Sequence, residues 1–155
     1  MKIKIIAALS IAVAGALPMA TVANACGGGH DPFDFVSPTG NISCKLEADG
    51  SAAFCEVRDH NWAAPASVKG NNGQSCNFDS AGPQVYLEQG KPPSLGCYEE
   101  PGKFTYANSA RRTLDYGKTH THGATTCESE TSGVTCTDTV TGHFFRVSRE
   151  SYELG

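Results

Sequence analysis

Chemistry in this sequence would have to come from a few residue groups. The first is a set of seven cysteines: Cys26, Cys44, Cys55, Cys76, Cys97, Cys127 and Cys136. No C-x-x-C pair occurs, so a metal–thiolate site lacks its usual spacing and disulfides are expected instead. The second is His120-Thr121-His122. On a strand alternate residues share a face, so both imidazoles would reach one Zn or Cu ion. A third ligand would have to come from Asp115 or His143; with none fixed by the pattern, the segment reads as a polar loop and no metal site is expected. His30-Asp31 beside Cys26 offers only adventitious Cu or Ni chemistry.

Ser148, His143 and Glu150 supply the residue types of a catalytic triad, but a triad is defined by geometry, and no G-x-S-x-G elbow is present. Glu99-Glu100 and Glu128 with Glu130 are the paired carboxylates that glycosidase chemistry would need. Adjacent Glu99 and Glu100 point to opposite faces when extended, and Glu128 and Glu130 border a hairpin turn open to solvent. No catalytic residue and no cofactor follow. Arg111 and Arg112 beside Tyr106 and Tyr116, together with His143 and Arg149, are the candidate binding residues, since Arg and Tyr are enriched at interface hot spots.

The elements that position these groups start with an address. Met1-Lys2-Ile3-Lys4 is a basic n-region, Ile5 to Leu17 is apolar, and Ala23-Asn24-Ala25 is an A-x-A cleavage signature. The apolar run falls short of the roughly 20 residues a bilayer span takes, and no later segment spans. Residues 1–25 read as a secretory signal peptide and 26–34 as a flexible leader. Residues 35–155 read as a single β domain. Cleavage would leave Cys26 first in the exported chain, a candidate lipidation position, although Ala23 and Asn24 match the lipoprotein box poorly. The sequence has 155 residues with 12 Lys and Arg against 16 Asp and Glu, net charge −4. No basic stripe exists, so a nucleic-acid partner is not expected.

The remaining six cysteines pair by local pattern. Ile42, Cys44 and Leu46 alternate with Ser43 and Lys45, and Ala53, Cys55 and Val57 alternate with Phe54, Glu56 and Arg58. A two-residue turn at Asp49-Gly50 puts Cys44 opposite Cys55, with Cα atoms about 5.5 Å apart. A turn centred on Thr131-Ser132 does the same for Cys127 and Cys136, which leaves Cys76 for Cys97. Short β runs near 42–46, 53–58, 84–88, 95–98, 103–106, 124–128, 133–137 and 143–147 predict an all-β fold. It should be a small disulfide-stapled barrel or sandwich of short antiparallel strands. Phe35, Ile42, Leu46, Val57, Trp62, Val85, Leu87, Leu95, Leu114, Val134, Phe145 and Val147 are the expected core. The closing run His143 to Tyr152 reads as a structural clasp, with Arg149-Glu150 locking it to a neighbour and Tyr152 folding back over the core.

Three stretches carry a family resemblance: Ser37-Pro38-Thr39-Gly40-Asn41-Ile42-Ser43-Cys44, then Ser132-Gly133-Val134-Thr135-Cys136, then Thr141-Gly142-His143 through Ser148-Arg149-Glu150-Ser151-Tyr152. The chain resembles, over about 35–152, a family of small exported domains of unknown function common in actinobacteria. It departs from that pattern at Asp138, where Asn is expected, at Phe144, where Gly is expected, and at Phe78 in place of Trp. The resemblance implies location and staple pattern, not an activity.

The expected function is a non-catalytic, exported module of the cell envelope or the secreted fraction. Its partner would be a protein or a cell-wall component, with Cys26 left as a free thiol by ordinary cleavage or, alternatively, carrying a lipid anchor. The alternative is an inhibitor of a secreted hydrolase, a lysozyme or protease, acting through the Gly90-Lys91-Pro92-Pro93-Ser94 loop.

Overall fold

A computed structural model describes residues 33–63, 65–70, 73–78, 82–97 and 112–155. Residues 1–32, which take in the signal peptide, Cys26, His30 and all but the last two residues of the leader, lie outside these residues, as do Glu99-Glu100, the β run at 103–106, Tyr106 and Arg111. Apolar alternation becomes strand through most of the described chain. In order the strands are β1 (Asp34–Val36), β2 (Ile42–Leu46), β3 (Ala52–Val57), β4 (Pro83–Glu88), β5 (Ser94–Cys97) and β6 (Arg112–Thr113). They continue with β7 (Lys118–His122), β8 (Thr125–Glu130), β9 (Gly133–Asp138), β10 (Phe144–Val147) and β11 (Tyr152–Leu154). β1 takes in Asp34, the last residue of the stretch read as leader.

Of barrel and sandwich, the chain forms the sandwich. One sheet has six strands in the order β5-β4-β3-β2-β1-β6, the other five in the order β11-β10-β9-β8-β7. Every pairing is antiparallel except β1 with β6, where Phe35 lies beside Arg112 in parallel. The inward faces carry Cys44, Leu46, Cys55, Val57, Val85 and Leu87 from the first sheet and Cys127, Val134, Cys136, Phe145 and Val147 from the second. β4 packs on β9 and β10. Trp62, Leu95 and Tyr152 lean on this core from its margins. Among the described residues no helix is long and apolar enough to cross a membrane.

The three disulfides are Cys44–Cys55, Cys76–Cys97 and Cys127–Cys136. They point to an oxidising environment, extracellular or periplasmic. Cys44 and Cys55 stand directly opposite each other, as do Cys127 and Cys136. Their Cα atoms are 4.1 and 4.0 Å apart, not near 5.5 Å. They therefore occupy the closer, non-hydrogen-bonded class of antiparallel pair, where side chains meet most directly. The two bridges face each other across the sandwich, with Cys55 Sγ 4.0 Å from Cys136 Sγ. Cys44, Cys55 and Cys136 bring their sulfurs together in the buried core, but all three are taken up in disulfides.

The β2–β3 connection is wider than the two-residue turn expected, although the register is the expected one. Glu47 N–H bonds Ala52 O at 2.8 Å, and Gly50 N–H returns to Glu47 O at 2.8 Å. Gly50 sits at φ +74° and touches Gly123, φ +57°, in the β7–β8 turn. A methyl group on Gly50 would stand 2.8 Å from Gly123 Cα, so the two turns meet backbone to backbone. Segment 118–122, read above as a polar loop, is an edge strand. His120 faces inward beside Phe35, ring centroids 5.8 Å apart, and His122 stacks on Phe33 at 4.1 Å. Both imidazoles are half-buried at the margin of the core, and a strand with no aliphatic side chain on its inner face shows no apolar alternation.

Candidate functional site

Each end of the sandwich is a ring of turns. At one end lie the β2–β3, β4–β5, β7–β8 and β9–β10 connections; at the other lie those of β1–β2, β8–β9 and β10–β11. Residues of this second ring border a cleft of about 310 Å³. Its first wall is the β10–β11 turn, Ser148 to Ser151. Ser148 Oγ accepts the N–H groups of Glu150 and Ser151 at 3.1 and 3.0 Å and donates to Ser151 O at 3.2 Å. The turn is tied sideways as well: Asn61 N–H bonds Arg149 O at 2.8 Å, and Trp62 Nε1–H bonds Ser148 O at 3.1 Å. The backbone is thus held at nearly every polar atom, while the Arg149 guanidinium and the Glu150 carboxylate, both exposed, make no hydrogen bond or ion pair among the described residues.

The second wall is Arg58-Asp59, just past β3. Asn41 fixes it by donating from Nδ2 to Asp59 O at 3.0 Å and accepting Asp59 N–H on Oδ1 at 2.8 Å. Arg58 Nε lies 3.4 Å from Asp59 Oδ2. The third wall is the β8–β9 turn, where Glu130 accepts the Ser132 hydroxyl at 3.1 Å. Tyr116, 41 % exposed, completes the rim. Beside the cleft, His60, Trp62, Phe78 and Tyr152 form an aromatic cluster with centroid distances of 4.8 to 6.0 Å. His60 Nδ1–H caps it by donating to Trp62 O at 2.8 Å. This cluster borders a second hollow of about 420 Å³ against Cys76.

The structure separates residues that the sequence grouped. Of the candidate binding residues that the structure describes, Arg149 and Tyr116 border the cleft, while Arg112 and His143 do not. Arg149 does not lock the closing strand through its side chain, as expected; its carbonyl does that, through Asn61. Arg112 stands on β6, where its Nη2–H donates to His120 Nδ1 at 2.8 Å. His143 begins at the far end of β10, five residues or roughly 16 Å of extended chain from Ser148. Ser148, His143 and Glu150 therefore do not assemble, and Ser148 serves the turn. His122 Nε2–H donates to Ala48 O at 2.8 Å, so each imidazole of the His120/His122 pair has its own partner. β8 and β9 lie between β7 and His143, which puts that expected third ligand roughly 14 Å from β7. Tyr152 does fold back, but as the first residue of β11, paired with Val147 and packed on Trp62 at 4.8 Å.

Arg58, Asp59 and Asn41 escaped the sequence reading. They are turn residues of ordinary polar type, and only the β2–β3 register brings Asn41 beside Asp59. At the opposite end the residue that departs from the expected Asn has a structural task. Asp138 is fully buried and accepts Gly90 N–H at 2.8 Å, Val140 N–H at 2.9 Å and the Thr141 hydroxyl at 2.8 Å. The Gly90 N–H first, then Val140, hold its carboxyl down to about 2. One carboxylate thus ties the β4–β5 turn of one sheet to the β9–β10 turn of the other.

No curated protein and no solved structure matches the chain. One family does, over residues 7–154, which take in all eleven strands and every wall of the cleft: the chain belongs to the family of unknown function DUF6636.

Proposed function

We propose that the protein is a non-catalytic binding module of the cell envelope or the secreted fraction, and that the cleft beside the β10–β11 turn receives its partner, a protein or a wall component. The observation that carries this reading is the contrast within that turn. Most of its backbone polar atoms are hydrogen-bonded, while Arg149 and Glu150 present unpaired charges on the cleft's edge. A fixed frame with free polar side chains is what a recognition loop on a rigid scaffold provides. Residues 1–25 would direct export, leaving Cys26 at the start of the exported chain as a free thiol or a point of lipid attachment. The test is retention of the exported chain, carrying Cys26→Ser so that no lipid contributes, on envelope prepared from its own cells. Arg149→Glu should lower retention at least tenfold without moving the melting temperature. Equal retention removes the cleft from the reading, and no retention removes the envelope partner.

The β4–β5 turn supports a second reading, inhibition of a secreted hydrolase. Gln89, Gly90, Lys91 and Pro92 are exposed, and buried Asp138 holds the tip from beneath. If the retained partner is a hydrolase whose activity falls on binding, and Lys91→Glu relieves it while Arg149→Glu does not, this second reading replaces the first.

A further inference from the structure

Two of the cleft's walls carry neighbouring charges of opposite sign. Arg149 is followed by Glu150, Arg58 by Asp59, and Glu130 lies on the third wall. An anion entering the cleft meets a guanidinium and a carboxylate side by side, and so does a cation. A ligand of one sign gains from one neighbour and is repelled by the next. A ligand carrying both signs a few bonds apart gains from both. On the Arg58-Asp59 wall the two charges already lie 3.4 Å apart and partly satisfy each other. On the β10–β11 turn they do not, and the turn's bonded backbone fixes the spacing at which they are offered.

We propose that the cleft binds a short zwitterionic peptide, its carboxylate on Arg149 and its ammonium on Glu150. The inference rests on the binding-module reading above and names the chemistry of that site's ligand. Guanidinium and carboxylate match in a planar, two-bond geometry that a lone ammonium does not offer. The hydroxyls of Thr39 and Thr131 on the rim suit the peptide's amide groups, and the Tyr116 ring offers a face to an aliphatic side chain. A volume of about 310 Å³ is at the small end of ligand sites, which suits a segment of a few residues and not a long polymer.

The probe is N-acetyl-alanyl-lysine, with one free α-carboxylate and one ε-ammonium, titrated into the full exported chain with its disulfides intact. Binding is followed by amide chemical shifts. Shifts should concentrate at residues 58–59 and 148–151. Amidating the carboxylate or acetylating the ε-amine should each weaken binding at least tenfold. Arg149→Gln should abolish discrimination against the amidated probe only, and Glu150→Gln discrimination against the acetylated probe only. A merely structural role for either residue would not produce that crossed pattern. Equal affinity for the blocked probes overturns the proposal. So does cleft-dependent binding of an uncharged N-acetylglucosamine tetramer in place of the peptide, which leaves the binding-module reading standing with a glycan ligand. If envelope retention depends on Arg149 but no peptide probe binds, the ligand class fails alone. If retention does not depend on Arg149, both readings fail.

Discussion

Removing disulfides one at a time should rank them against their loop lengths. The sequence separations are 11, 21 and 9 for Cys44–Cys55, Cys76–Cys97 and Cys127–Cys136. Chain entropy alone then assigns ~2.8, ~3.3 and ~2.6 kcal/mol at room temperature, with the Cys76–Cys97 bridge worth most. Packing reverses this order. Cys44, Cys55, Cys127 and Cys136 are wholly buried, and the two bridges touch across the core. Cys76 is only partly buried and belongs to a small satellite cluster. Replacing a core cysteine pair with alanines adds about 1 kcal/mol per lost sulfur through transfer and cavity costs. Cys44→Ala with Cys55→Ala should therefore cost about 5 kcal/mol, and Cys76→Ala with Cys97→Ala, where only Cys97 is buried, about 4 kcal/mol. Guanidinium unfolding without reductant measures both. Because the core bridges are in contact, removing both should depart from additivity by at least 0.5 kcal/mol or so. If Cys76–Cys97 proves the costliest, and the two core bridges add without coupling, sulfur packing contributes nothing and the reasoning is wrong.

Three further outcomes follow from the turns. Asp138 has a folded-state pKa near 2 against an ordinary 3.8, so its contribution is complete above about pH 4 and is lost as pH falls toward 2. Denaturation midpoints for wild type and Asp138→Asn should therefore differ most at neutral pH and converge in that window, with the variant less stable because an amide NH₂ cannot accept from Gly90. Gly123→Ala forces a side chain into a left-handed backbone and against Gly50, and should cost about 1–2 kcal/mol in thermal unfolding or more if the turns part. Arg149→Ala should leave stability within about 0.5 kcal/mol of wild type, because the turn is held by the Arg149 carbonyl and not by its side chain.

The staples were legible because a hairpin turn fixes which residues face each other, and both turn centres fell midway between cysteines. The core was legible for a related reason: Phe35, Ile42, Val85, Phe145 and Val147 recur with period two and pack where that period puts them, whereas Trp62 and Leu95, also expected there, reach only its margins. β7 was not, since Lys118-Thr119-His120-Thr121-His122 half-buries imidazoles where a pattern search expects aliphatic side chains. β6 and β11 are too short to carry a period and exist through their neighbours. The cleft was less legible still. Asn41, Asp59, Tyr116, Glu130 and Arg149 come from five separate stretches, and each alone looks like solvated turn. Register and sheet stacking bring them together, and neither is a local property of sequence.

The distribution of the bridges has a consequence for how the chain acquires its shape. β7 through β11 form a meander in which each strand pairs with the next in sequence, so that sheet needs only short loops to close. The other sheet is equally local until β6, which must find β1 across the whole stretch from Phe35 to Arg112. Loop-closure entropy makes that parallel pairing the natural late step. Every disulfide joins residues at most 21 apart in sequence, and none joins the two sheets. Oxidation can therefore finish within each half before the halves meet. Once those bridges have formed, a sandwich docked in the wrong register is not covalently trapped and can come apart to search again.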